Sequence, residues 1–573
     1  MCGINGYSGF RDPRLIQQMV ETLSHRGPDE QGIYQDEDIS LGHARLSIID
    51  LSPQGHQPMT NEDGSLYLVF NGEIYNFVSL RETLSQKGHI FKSKTDTEVI
   101  LHGYEEYGEE FISSLEGMFA FALWDKKQKK LVLARDSIGI KPLYYYWDGQ
   151  KLIFSSEIKS ILCSRDVQQK ISLQESLVPF YLTFQYSPPQ KTLFKNIFKL
   201  EPGYLLIFKN GQCQLKSYVC SQNVLVDEEK IKELLKESVQ TKLISDVPLG
   251  VLLSGGLDSS SIVALMSNVS ESITTFTAGF HQKNDEFYYA DLVANQYKTK
   301  QHHFFIESKN IIQEIEKIIW HMDEPLADTG AIATYFISRY LKEHVKVILV
   351  GEGGDEVFGG YSWYQLSKFK FIPQKYLLKM YFYLTTFIPS SIPWYSEVYK
   401  QFLDLFEPYL HEKTLFQGFT RFELEKVLPN HLLMKVDKMT MAHGIEARVP
   451  FLDQTLVRSI SALPDEYRIK GWQGKWLLRK LMKNKLSPQI LKRKKQGFSL
   501  PLKKWLSEDL KPLLEDTFFS SRAKVLDVID KDTLKQLMIK SYGLKEIERV
   551  SLLWRLFLFE IWYQRFFIKK SSA

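Results

Sequence analysis

Close to residue 220 the apolar pattern of this chain changes rhythm, and the two halves call for different kinds of sheet. Before that point, short β-branched and aromatic runs follow one another: GHARLSIIDL, LYLVFNGEIYNF, MFAFALWD, KLVLARD, PLYYYWDG and KLIFSSE, parted by Gly, Asp, Asn and Lys turns. Helices interrupt them mainly at Val78 to Lys87 and Thr97 to Tyr107, a layout that predicts packed antiparallel sheets with flanking helices. Beyond it, PLGVLL, SITTFTAGF and QHHFFIES each lead into a helical stretch, and VKVILV supplies another buried strand. That alternation predicts parallel βαβ units. After QHHFFIES the helix carries Ile311, Ile312, Ile315, Ile318, Ile319 and Met322 on one expected stripe, and from about 362 onward the pattern is mostly helical.

The expectation is therefore two domains: an α+β antiparallel sandwich over 1–215 and an α/β parallel sheet with added helices over 225–573, joined through the polar stretch Cys220 to Glu229. A length of 573 residues agrees, being well past the size at which one core stops growing. A net charge of +4 over this length is no nucleic-acid signature. The cysteines Cys2, Cys163, Cys213 and Cys220 form no CxxC pair, which argues against a disulfide framework or zinc site and for a reducing compartment, the cytoplasm. No secretory pattern opens the chain, and no apolar run is long enough to span a bilayer. The nearest, Tyr376 to Pro393, is broken by Lys379 and prolines and reads as buried helix; SLLWRLFLFEIWYQRFF near the end reads as a packed helix whose narrow polar edge is Arg555, Glu560 and Arg565.

Two places carry chemistry. The stretch LSGGLDSSS, Leu253 to Ser261, lies between a predicted strand and a predicted helix, where glycines let backbone N–H groups converge on a phosphate and the helix start adds positive potential. It lacks the Gly-Lys-Ser/Thr end of a Walker loop, and Asp258 would repel a phosphate unless a cation sat between them, which implies Mg²⁺. A serine-rich capping turn is the plainer alternative. A second acidic loop, GEGGDEVFGGY from Gly351, follows VKVILV, so both loops fall at carboxyl ends of strands, where open α/β sheets bind ligands. At the other end of the chain, Cys2 becomes N-terminal once the initiator is trimmed, and its α-amine can then serve as base for its own thiol.

SHRGPDEQG, GHARLSIIDL, FNGEIYNF and KTDTEVI, in that order behind Cys2, resemble the glutaminase domain of class II glutamine amidotransferases. The resemblance implies that Cys2 attacks the glutamine amide, that Asn71 and the Gly72 N–H stabilise the oxyanion, and that Arg45 and Asp96 clamp the α-carboxylate and α-ammonium with Glu73 nearby. LSGGLDSSS resembles the SGGxDS loop of N-type ATP pyrophosphatases. This implies nucleotide or pyrophosphate contacts from Leu253, Ser254, Gly255, Gly256, Asp258, Ser259, Ser260, Gly279, Val350, Gly351 and Lys475. It further implies Mg²⁺ on Asp258 and Asp355, Glu352 as acid or base, and a lysine of RKKQGFS, Lys495, steadying a charged intermediate.

Together with DEPLADTGAI, MKVDKMTMAHGIEARVPFLD and GKWLLRK, these motifs resemble the glutamine-hydrolysing asparagine synthetases over nearly the whole chain. The implied activity is ATP-dependent amidation of aspartate through an acyl-adenylate, with ammonia led from one domain to the other; a homodimer is compatible with it. Two departures stand out: Val350 and Gly354 occupy positions where that family commonly has serine. The aromatic segment 369–406 is also longer than a minimal member needs. The same machinery acting on another carboxylate, such as a sugar acid or a secondary-metabolite precursor, stays open, as does an idle scaffold that merely keeps the fold.

Overall fold

The computed structural model describes residues 1–219, 226–279, 286–494, 500–539 and 543–568. Its first half holds β1 (Gly3–Ser8), β2 (Glu30–Gln35), β3 (Ile39–Arg45), β4 (Met59–Thr60), β5 (Leu66–Ile74) and β6 (Gly117–Asp125). These are followed by β7 (Lys130–Arg135), β8 (Tyr144–Trp147), β9 (Leu152–Ser155), β10 (Ile197–Lys199), β11 (Tyr204–Lys209) and β12 (Gln212–Ser217). They form two six-stranded sheets, ordered β10-β8-β9-β1-β3-β2 and β12-β11-β7-β6-β5-β4, with every assigned pairing antiparallel. The alternation of side chains along a strand explains the layering: on β6, Ala120, Ala122 and Trp124 enter the core between the sheets, while Phe119, Phe121 and Leu123 face the helices Phe77–Gln86 and Glu98–Tyr107. The two helices lie where the sequence placed them.

The second half is built on one five-stranded sheet of β13 (Leu249–Leu252), β14 (Thr274–Gly279), β15 (Lys300–Phe305), β16 (Val347–Leu349) and β17 (Glu446–Arg448), all parallel and ordered β15-β14-β13-β16-β17. The order reverses between β13 and β16, so the loops leaving these two strands diverge around one crevice. Those loops are LSGGLDSSS and VGEGGDE.

The halves share apolar packing. Tyr7, Tyr144, Tyr146 and Ile153 from the first sheet join Tyr181, Phe194, Phe559 and Trp562 in one buried cluster, where Phe194 meets Trp562 edge-on at 5.1 Å. Of the expected stripe on helix Ser308–Met322, Ile312 stays 36% exposed while the other five apolar residues are buried. The segment 369–406 forms helices Gln374–Thr386 and Tyr395–Phe406, whose Tyr381, Phe382, Phe402 and Phe406 are core residues; Tyr381 stacks on Phe419 at 4.4 Å. One expectation is corrected. The C-terminal helix Glu546–Tyr563 has no outward edge at Arg555 and Glu560: both are fully buried, because Arg555 donates to the carbonyls of Leu182, Thr183 and Thr386 at 2.6–2.9 Å and Glu560 accepts the Val525 N–H at 2.7 Å. No helix of the described residues is long and apolar enough to cross a membrane.

Two candidate active sites and the strand between them

The first site is laid out on β5. Its neighbour β6 approaches so closely that a Cβ on Gly72 would lie 2.1 Å from the Met118 carbonyl oxygen, so only glycine fits there. Beside it Asn71 is fully buried, and its Oδ1 accepts the Cys2 N–H at 3.0 Å. The other end of the same amide, Asn71 Nδ2, has no hydrogen-bond partner among the described residues, an arrangement that costs about 1–3 kcal/mol unless something else takes the bond. Cys2 is 8% exposed, and burial raises its thiol pKa, opposed by the nearby Met1 ammonium, the Leu46 N–H and Arg45. Arg26 Nε holds the Cys2 carbonyl at 3.1 Å.

Arg45 and Asp96 flank this group. The Arg45 guanidinium is fixed by Glu30 at 2.9 Å and by the Asp50 carbonyl at 2.6 Å; a Cβ on Gly55 would sit 2.1 Å from its Nη2. Asp96 accepts the Ile74 N–H at 2.7 Å, and burial, reinforced by the Glu446 charge, pushes its pKa up to about 6 against that hydrogen bond. Glu73 is raised as well, by burial and by Glu446, although Arg448 pulls the other way.

The second site lies at the crevice between β13 and β16. Gly255 takes a φ of +65°, and a Cβ there would meet the Tyr289 carbonyl carbon at 2.4 Å. Ser254 and Ser259 pair through their hydroxyls at 3.1 Å, which folds the loop back over the start of helix Leu257–Met266. Gly256 caps that helix without any side-chain bond, leaving its first N–H groups toward the loop. Leu253 is pinned by the Phe276 carbonyl, and Ser260 is fully buried. Gly279 ends β14, and Val350 donates its N–H to the Arg448 carbonyl at 2.9 Å.

Asp258 and Asp355, far apart in sequence, meet on one ammonium group: Lys475 Nζ stands 2.5 Å from Asp258 Oδ2 and 2.7 Å from Asp355 Oδ1. Glycines make room for the pair. A Cβ at Gly354 would approach Asp258 Cγ to 2.7 Å, and one at Gly360 would strike Asp355 Oδ1 at 1.9 Å. Gly354, one of the two departures, thus leaves the Asp258 carboxylate uncrowded. Glu352 has its pKa raised by burial, with Lys435 acting against it; Lys435 is itself held 3.2 Å from Asp328. Two carboxylates converging on one centre of positive charge are the donor set that Mg²⁺ takes. Lys495 lies outside the described residues.

β17 joins the sites. Glu446 receives the Met1 ammonium at 2.9 Å; Arg448 Nε reaches Glu446 at 2.5 Å and its Nη2 reaches Glu73 at 3.1 Å. The Arg448 carbonyl at the same time holds Val350, at the head of the second acidic loop. Met1, Glu446 and Arg448 are all buried, and burial of Glu446 is outweighed by the Met1 ammonium and Arg448, which bring its carboxyl down to about 2.

Residues 230–564 match the asparagine synthase family, and residues 1–219 match the glutamine amidotransferase domain family. The chain belongs to the asparagine synthetase family. Among its relatives within that family, the glutamine-hydrolysing asparagine synthetase 1 of Bacillus subtilis is 35% identical across 96% of this chain and 93% of its own. A protein of Methanocaldococcus jannaschii, described as a putative glutamine-hydrolysing asparagine synthetase 2, is 38% identical across 63% of this chain and 76% of its own. More distantly, amidase chry2 of Gibberella zeae is 25% identical over the full length of both chains.

The motifs do not reveal the contacts of Glu446, Arg448 and Lys435, although all three sit in the segment MKVDKMTMAHGIEARVPFLD. Charged side chains inside an otherwise apolar stretch were the available signal, since buried charges need partners. Arg493, at the start of RKKQGFS, was also passed over; its Nη1 donates to the Ser254 carbonyl at 2.7 Å.

Proposed function

We propose that the protein amidates L-aspartate to L-asparagine, with residues 1–215 releasing ammonia from glutamine and residues 225–573 spending ATP to activate the acceptor. The family supports glutamine-dependent, ATP-driven amidation. The observation that most supports the assignment is the convergence of Asp258 and Asp355 on Lys475 beside a glycine loop and an uncapped helix start.

In the first site, Cys2 is the nucleophile once Met1 is removed, its freed α-amine taking the thiol proton. The idle Asn71 Nδ2 and the Gly72 N–H then receive the oxyanion, while Arg45 and Asp96 hold the glutamine α-carboxylate and α-ammonium. Glu446, which holds the Met1 ammonium, is proposed to accept a hydrogen bond from the amine that replaces it.

In the second site, Leu253, Ser254, Gly255, Gly256, Ser259, Ser260, Gly279, Val350 and Gly351 shape the nucleotide cradle. Mg²⁺ held by Asp258 and Asp355 would offset the charge of the departing diphosphate. Lys475 turns from the carboxylates to the diphosphate, and Glu352, kept protonated more easily by its burial, handles a proton as ammonia attacks the acyl carbon and AMP leaves. Lys495 is proposed to steady the intermediate.

Gly354 favours a second reading, the same chemistry on a different carboxylate, because it removes a hydroxyl from the rim of this site. Purified protein given glutamine, ATP, Mg²⁺ and aspartate should yield asparagine, AMP and pyrophosphate in equal amounts. AMP formation with another carboxylate and none with aspartate would replace the acceptor.

A further inference from the structure

Away from both sites, the helix Glu98–Tyr107 presents His102 and Glu105, one turn apart, toward His89 in the turn after Phe77–Gln86. One donor atom from each lies within 4.8 Å of the other two. Glu105 Oε2 stands 3.5 Å from His102 Nδ1 and 3.6 Å from His89 Nδ1. Ligands about 2.0–2.1 Å from a tetrahedral ion lie about 3.3 Å from one another, so the carboxylate already has nearly coordination spacing to both rings.

The far side of each ring supplies an independent argument. His102 is 1% exposed, and its Nε2 has no hydrogen-bond partner among the described residues, yet it faces Glu98 at 3.6 Å and Glu62 at 3.9 Å. Glu98 is itself fixed by the N–H groups of Lys92 and Ser93, both at 2.8 Å. His89 Nε2 faces Glu106 at 3.4 Å, and Glu106 is steadied by Lys87 at 2.7 Å. A carboxylate behind each imidazole is the arrangement that orients metal-binding histidines and raises their basicity. Four carboxylates, Glu62, Glu98, Glu105 and Glu106, thus surround the two imidazoles, with Lys87 on Glu106 and Lys127 near Glu105.

We propose that His89, His102 and Glu105 bind a divalent transition-metal ion, with Zn²⁺ the best match to two imidazoles, one carboxylate and a completing water. The ion would staple the turn at 89 to the helix that begins just after Asp96, closing the loop 90–97 at its base. This site is separate from Asp258 and Asp355, whose all-oxygen donors suit Mg²⁺, and does not depend on the function proposed above.

The full-length protein, stripped with a chelator and kept in excess Mg²⁺, is titrated with Zn²⁺ by calorimetry and with Co²⁺ by visible absorption. One equivalent should bind, with a nitrogen–oxygen Co²⁺ spectrum and a raised melting temperature. His89→Gln and Glu105→Gln, both near the surface, should each weaken binding at least about tenfold, and Glu106→Gln should weaken it measurably. His102→Gln risks misfolding, so the surface variants carry the test. No stoichiometric uptake by the wild type, uptake unchanged in both surface variants, or a thiolate charge-transfer band placing the ion on cysteine would each overturn the proposal.

Discussion

The two sites are held together by different means. Around Cys2 the working groups come from the first 96 residues and are set mainly by strand register and backbone contacts: Asn71 and Gly72 lie consecutively on β5, Asp96 is fastened to a main-chain N–H, and Arg45 to a main-chain carbonyl. Around Asp258 the groups come from three distant segments: the two aspartates follow the neighbouring strands β13 and β16, and one lysine ammonium bridges their carboxylates. A site fixed by sheet geometry is ready before its ligand arrives, whereas a site fixed by a bridging cation can exchange that cation for another. The difference suits the roles proposed for the two sites, a nucleophile that must always point one way and a nucleotide cradle that must admit charge and release it.

Breaking each site separately tests this division. Cys2→Ala should cut glutamine-dependent product formation by roughly 10⁴-fold or more while ammonia still serves as nitrogen source; equal loss with both donors would show that the sites are not separable. Asp258→Asn and Asp355→Asn should each cost several kcal/mol of barrier in pyrophosphate release, roughly 10³-fold, with glutamine hydrolysis spared, read by AMP and glutamate assays in parallel. Arg448→Met strikes the strand that touches both sites, leaves the buried Glu73 without its cation and takes one of two cations from Glu446. It should lower stability by about 3–5 kcal/mol in denaturant titration and impair both half-reactions. Asn71→Ala should lower the glutaminase kcat about 10²–10³-fold with little change in KM, because Nδ2 is proposed to act as charge develops and Oδ1 holds the Cys2 N–H rather than the substrate.

The smallest effect is a pH dependence. In its proposed role Asp96 must be ionised to hold an ammonium group, and its acid form dominates below a pKa of about 6. The glutamine kcat/KM should therefore fall more steeply beneath that pH than protonation of the Cys2 α-amine base alone makes it fall, and this extra break should vanish in Asp96→Asn.

Much of this was legible in the sequence, for local reasons. Strands announce themselves by period two, and glycine loops by residues that tolerate positive φ, so β5, β13 and both acidic loops were placed correctly. What escaped was long-range. Nothing local to Arg448 says that it will meet Glu73, and nothing in the C-terminal helix says that Arg555 will be drawn inward by carbonyls from residues 182, 183 and 386. Lys475 is expected to touch nucleotide, yet it meets two aspartates whose loops are made neighbours by the crossover order of the sheet, while Lys475 itself comes from the start of a separate helix.

The apolar cluster running from Tyr7 through Phe194 to Trp562 bears on any attempt to recombine such enzymes. A cut at the polar link near residue 220 looks harmless on paper, but it would leave two fragments each wearing a broad greasy wall, prone to clump. Swapping nitrogen donors between relatives would therefore demand that both faces of that wall travel together, and the unit of exchange is the matched pair of surfaces rather than the module.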